Sequence, residues 1–118
     1  MQPDEFSPPP RIRSALWVSA QIRRCDALAV PAVISRRGDP DAGSILIKVY
    51  RGRADCTVFT PASTMAGERG WMRATGPEPV DEATADAYIQ RQSQRDSDLW
   101  VLEIEDPRGL YQLEDVIE

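Results

Sequence analysis

Histidine is missing from the 118 residues, and cysteine occurs only twice. The first absence removes the commonest general base and the commonest metal ligand. The two cysteines, Cys25 and Cys56, form no CxxC motif and have no histidine beside them, so they match no zinc or redox pattern. They read as reduced, small core residues. No apolar run approaches the ~18 residues that a membrane-spanning helix needs. The first six residues, Met1 to Phe6, carry neither the basic nor the apolar region of a signal peptide. A cytoplasmic protein with no membrane partner is therefore expected.

Lysine is also scarce. Thirteen of the 14 basic residues are arginine, and only Lys48 is lysine. Net charge is −5, which disfavours nucleic acid or an anionic membrane as a partner for the molecule as a whole. The charge is unevenly spread: residues 1–60 hold nine basic and six acidic side chains, residues 61–118 five and thirteen. The first half is thus +3 and the second −8, so docking of one half on the other is the simplest expectation.

What is present is globular. Hydrophobic residues make 42% and charged residues 28%, which excludes wholesale disorder, collagen and coiled coil. The length suits one domain burying roughly two-thirds of its unfolded surface. Residues 1–10 end in Ser7-Pro8-Pro9-Pro10 and read as a flexible Pro-rich tail, leaving 11–118 as a single domain.

Ser14 offers an N-cap, and Ala15, Val18, Ile22, Cys25 and Ala29 follow at helical spacing until Pro31. Ala32-Val33-Ile34, Ser44 to Arg51 and Cys56 to Thr60 predict three strands, joined as an antiparallel meander. Asp81 opens a second helix to about Arg95, with Val80 and Ala85 as a hydrophobic staple. Leu99 to Leu102 is apolar on both faces and predicts the most buried strand; Leu110 to Leu113 predicts a short returning one. The fold class is α+β: a mainly antiparallel sheet of about five or six strands with two helices. A three-layer α/β/α sandwich is the alternative.

Several segments together resemble a known family. They are Ser14-Ala15-Leu16-Trp17-Val18 with Arg23-Arg24, Pro31 to Ile34, Arg36-Arg37-Gly38-Asp39, and Asp41-Ala42-Gly43. Lys48-Val49, Asp98-Leu99-Trp100-Val101 and Glu103-Ile104-Glu105 complete the pattern. It is similar to an alphaproteobacterial family, domain of unknown function 1491, over about residues 11 to 106. The resemblance implies a small bacterial cytoplasmic protein of mixed helix and sheet, and it carries no catalytic or binding residues.

Candidate chemistry is sparse. Asp39, Asp41 and Gly43 look superficially like a calcium loop, but the twelfth position is Tyr50 instead of glutamate. A metal-nuclease pattern needs an acid two positions before Lys48, where Leu46 stands. Lys48 itself reads as a snorkelling edge residue. Glu82 with Asp86, and Glu103 with Glu105, read as solvated acidic faces. No SxxK or GxSxG motif is present. No cofactor or metal is expected.

A non-catalytic binding or accessory module is the resulting expectation, using Arg23, Arg24, Arg36 and Arg37 as an Arg-bearing surface. Trp71, between Gly70 and Met72, is an added contact candidate. An acidic protein or a second copy of the chain is the expected partner, with nucleic acid less favoured. The rival is a small hydrolase or transferase with a site near Asp39, Asp41 and Lys48.

Overall fold

A computed structural model describes residues 12–117 of the chain. The expected Pro-rich tail, residues 1–10, lies outside the described residues. The elements run α1 (Ser14–Ala27), β1 (Ala32–Arg36), β2 (Ile45–Gly52), β3 (Asp55–Ser63), β4 (Arg69–Arg73), α2 (Glu82–Arg95) and β5 (Trp100–Glu105).

Both helices follow from their patterns. In α1, Val18, Gln21 and Cys25 are buried, at spacings of three and four. Ser14 is not its cap. The helix begins after Arg13, and the Ser14 hydroxyl donates to the Gly43 carbonyl at 2.6 Å. The open N–H groups of Ser14 and Ala15 go instead to the carbonyls of Asp41 and Pro40. At the other end Ala29 takes φ 56°, and Val30 N–H closes on the Cys25 carbonyl at 2.9 Å. α2 starts as its sequence predicts: Asp81 accepts from Thr84 N–H at 2.8 Å, and Val80 and Ala85 share one apolar cluster.

The sheet departs from the expected meander. Its order is β1-β5-β2-β3-β4, so β5 enters between β1 and β2. β5 runs parallel to β2, and every other pairing between these five strands is antiparallel. The reason is in the side chains. Trp100, Val101 and Leu102 are buried on both faces and require a central place, whereas β1 alternates half-buried and exposed residues and suits an edge.

The helices lie on opposite faces, which is the three-layer version of the fold. On the α1 side, Val18 and Cys25 join Ile45, Ile47, Phe59, Trp100, Leu102 and Tyr111. On the α2 side, Ala85 meets Leu46, Cys56, Val58, Leu99 and Val101.

Leu110 to Leu113 does not form a strand. The buried Asp106 carboxylate accepts the N–H groups of Leu110 and Tyr111 at 2.8 and 2.9 Å, which turns the chain before a ladder can begin. The segment then reaches the edge of β4: Trp71 N–H donates to the Asp115 carbonyl, and Ile117 N–H to that of Trp71.

Two outcomes check this packing. Cys25 and Cys56 are free, buried thiols whose pKa values burial pushes up. Iodoacetamide should therefore label neither in the native protein and both in urea; comparable native labelling would contradict the buried placement. Ala29→Gly should raise stability in urea unfolding by about 0.5–1 kcal/mol, since a side chain at positive φ costs roughly 1–2 kcal/mol and glycine's unfolded-state entropy offsets part of that.

Candidate functional site: an acidic cleft over Lys48

Strand alternation puts Leu46, Lys48 and Tyr50 on the face of β2 that looks toward α2. The parallel register places Glu103 of β5 directly beside Lys48, and so on the same face. α2 brings Glu82 in its first turn and Asp86 one turn later, on one side of the helix. Three elements thus converge on one ammonium. Lys48 Nζ donates to Asp86 Oδ1 at 2.7 Å, Glu82 Oε2 at 3.0 Å and Glu103 Oε1 at 3.3 Å. All three of its protons are used.

Lys48 is 4% exposed, so it is no snorkelling edge residue. Nor are Glu82, Asp86 and Glu103 merely solvated faces, although each stays partly open to water. Burial alone would lower the Lys48 pKa. The hydrogen bonds it donates to Asp86 and Glu82, with the charge of Glu103, outweigh it and leave the pKa raised. The group is a fixed cation.

One cation against three carboxylates leaves a surplus of two negative charges, and Glu105 adds another on the same strand face. All of these groups but Asp86 border an open cleft of about 400 Å³, with Val33, Tyr50, Lys48, Glu82, Glu103 and Glu105 in its lining. Among the described residues no group of three or more His, Cys, Asp or Glu is arranged to hold a metal ion.

The other expected site residues lie elsewhere. Asp39 and Asp41 sit in the loop before β2. Asp39 Oδ2 accepts from Asp41 and Ala42 N–H, and the Asp39 carbonyl accepts Trp100 Nε1–H at 2.7 Å. Asp41 lies 3.6 Å from Arg13 and lines clefts other than the Lys48 cleft. The structure does not bring Asp39, Asp41 and Lys48 together.

Three of the four candidate arginines have partners inside the fold. Arg24 donates to Gln21 Oε1 at 3.0 Å and to the Gln112 carbonyl at 2.7 Å, 5.4 Å above the Tyr111 ring. Arg36 donates to the carbonyls of Leu99 and Ser97. Arg37 lies 5.4 Å over the Trp100 ring, and Arg23 is exposed on α1. Trp71 is half-buried, its ring centroid 5.0 Å from that of Trp17.

With this geometry in hand, the chain can be set beside known proteins. A family model described as "Protein of unknown function (DUF1491)" matches residues 12–114. The chain belongs to the DUF1491 family. A crystal structure of a DUF1491 protein from Caulobacter crescentus CB15 is 36% identical, covers 92% of this chain and 100% of its own, and superposes with a TM-score of 0.81. An NMR structure of a DUF1491 protein from the same organism gives 35% identity, 91% and 97% coverage, and a TM-score of 0.78. The solution structure of protein Atu0922 from A. tumefaciens gives 30%, 81% and 86%, and 0.68. No curated protein matches the chain.

The Lys48 cluster predicts an asymmetry in stability. Lys48→Met should cost only about 1 kcal/mol in urea unfolding, because methionine refills the space and the exposed carboxylates regain water. Glu82→Gln, Asp86→Asn and Glu103→Gln together strand a buried ammonium and should cost at least about 3 kcal/mol. Equal costs would refute the reading. A raised lysine pKa stabilises fully below its unfolded value near 10.4 and is lost as pH climbs through the folded value. The gap between wild type and Lys48→Met should therefore stay constant from about pH 7 to about pH 10.

Proposed function

We propose that this protein is a non-catalytic binding module whose recognition surface is the acidic cleft over Lys48, and that its ligand presents a cationic group. The observation that carries this is the surplus of carboxylate around one immobilised ammonium, open to a cleft of about 400 Å³. Glu82, Glu103 and Glu105 supply acceptors, and Tyr50 supplies a ring face for an ammonium or guanidinium. A basic peptide side chain fits that chemistry.

Binding is favoured over chemistry because Lys48 is held as a cation. A lysine that acts as base or nucleophile needs its pKa lowered, and here it is raised. The arginine surface is the weaker support for a binding role, since Arg24, Arg36 and Arg37 are already engaged. A cytoplasmic, bacterial setting is part of the proposal: both thiols are free, and similar structures come from C. crescentus and A. tumefaciens.

The test is titration with a decapeptide of alternating lysine and serine. Wild type should bind it saturably and more weakly as salt rises. Glu105→Lys reverses a charge at the cleft without touching Lys48, and should weaken binding at least about tenfold while leaving urea stability unchanged. Equal binding by the variant would reject the cleft. If a variant with Arg23, Arg24, Arg36 and Arg37 all changed to Ala loses its partners from a host lysate while Glu105→Lys keeps them, the arginine surface is the site instead.

A further inference from the structure

On the opposite face of the sheet, beyond the reach of α1, lies a second cleft of about 270 Å³. Val49, Thr57 and Phe59 form its floor, from β2 and β3, and Pro77, Pro79 and the chain after Tyr111 form its walls. The register explains the grouping: Val49 pairs with Thr57 and Phe59 with Arg73, so these side chains share one face. Two guanidinium groups enter the lining, Arg51 from β2 and Arg73 from β4, and among the described residues no carboxylate side chain lines it. In a chain of net charge −5 that is a local inversion of sign.

Both arginines are placed by the fold. Arg73 stands 5.7 Å above the Phe59 ring. Arg51 lies over Gly109, whose φ of 67° suits glycine, and a Cβ there would come within 3.7 Å of the guanidinium carbon. The Thr57 hydroxyl is a further donor on the floor, half-buried. Beside these donors the floor is apolar and aromatic.

We propose that this cleft binds a small oxyanion carried on a flat apolar body, with Arg51 and Thr57 gripping the anion and Phe59 facing the body. Planar guanidinium groups pair with phosphate and carboxylate alike, so the shared chemistry is the oxyanion. The cavity is slightly below the ~300 Å³ at which drug-sized ligand sites begin, which selects a compact ligand. The site is separate from the cation cleft over Lys48, which faces the other way, and each can fail without the other.

The experiment is an amide NMR titration of the full chain with phenyl phosphate, benzoate and inorganic phosphate. Saturable shifts confined to residues 49–59, 73 and 109–113 are expected for phenyl phosphate, benzoate or both. Whichever binds tighter names the anionic group, and inorganic phosphate should bind more weakly for want of the apolar body. Arg51→Gln, an exposed position, should raise the dissociation constant at least about tenfold. Arg53→Gln, outside the cleft, should leave it unchanged. Shifts that stay linear with both organic anions, that map to Arg23 and Arg37 instead, or that saturate equally in Arg51→Gln would overturn the proposal.

Discussion

A buried ammonium has three protons to satisfy, and Lys48 places that demand near the middle of the sheet. Its solution fixes more than a side chain. Glu103 faces Lys48 only if β5 lies parallel to β2 in the observed register; a slip of one residue would send Glu103 to the α1 side. Glu82 and Asp86 reach the same nitrogen only if the first turns of α2 lie over β2. One cation therefore ties strand register, helix placement and the shape of the cleft together. Apolar burial supplies most of the driving force and disfavours the same slip, and the ion pairs of Lys48 add a directional requirement that apolar contacts lack.

The fold was legible wherever local chemistry decides it. The stripe from Val18 to Cys25, the Asp81 cap and the staple of Val80 with Ala85 all act within a few residues, and all stand as expected. Leu99 to Leu102 announced a strand buried on both faces. What adjacency in sequence could not reveal was where that strand goes. β1 and β2 are neighbours along the chain, yet β5 comes between them, because it has two apolar faces to cover whereas β1 is half open to water and suits the edge. Leu110 to Leu113 misled in the opposite direction: its apolar residues read as a strand, but the buried Asp106 carboxylate takes the first N–H groups and holds the segment out of the ladder.

The site was less legible, because its parts come from residues 48, 82, 86 and 103 and no spacing rule joins them. Two signals pointed that way. Lys48 is the single lysine against thirteen arginines, and it sits within the otherwise apolar run Ile45 to Val49. Glu82 and Asp86 stand four apart on a helix whose apolar stripe is thin. The expected docking of a basic half on an acidic half is realised among the described residues through this one lysine. The arginines behave differently. Their several planar donors find backbone carbonyls and ring faces, as at Arg24, Arg36 and Arg37, so arginine density along the chain does not translate into arginine density on a free surface.

Opposite charges on the two sides of one sheet raise the question of why they do not cancel. Exposed charges are largely screened beyond about 8 Å at physiological salt, and two apolar layers separate the faces. β2 runs through both neighbourhoods, sending Lys48 toward the carboxylates and Arg51 toward the second cleft. Within each cleft the local sign prevails over the net charge of −5. A net charge therefore describes the approach of a large polyanion to this molecule, whereas a small ligand inside either cleft meets the charges of that cleft.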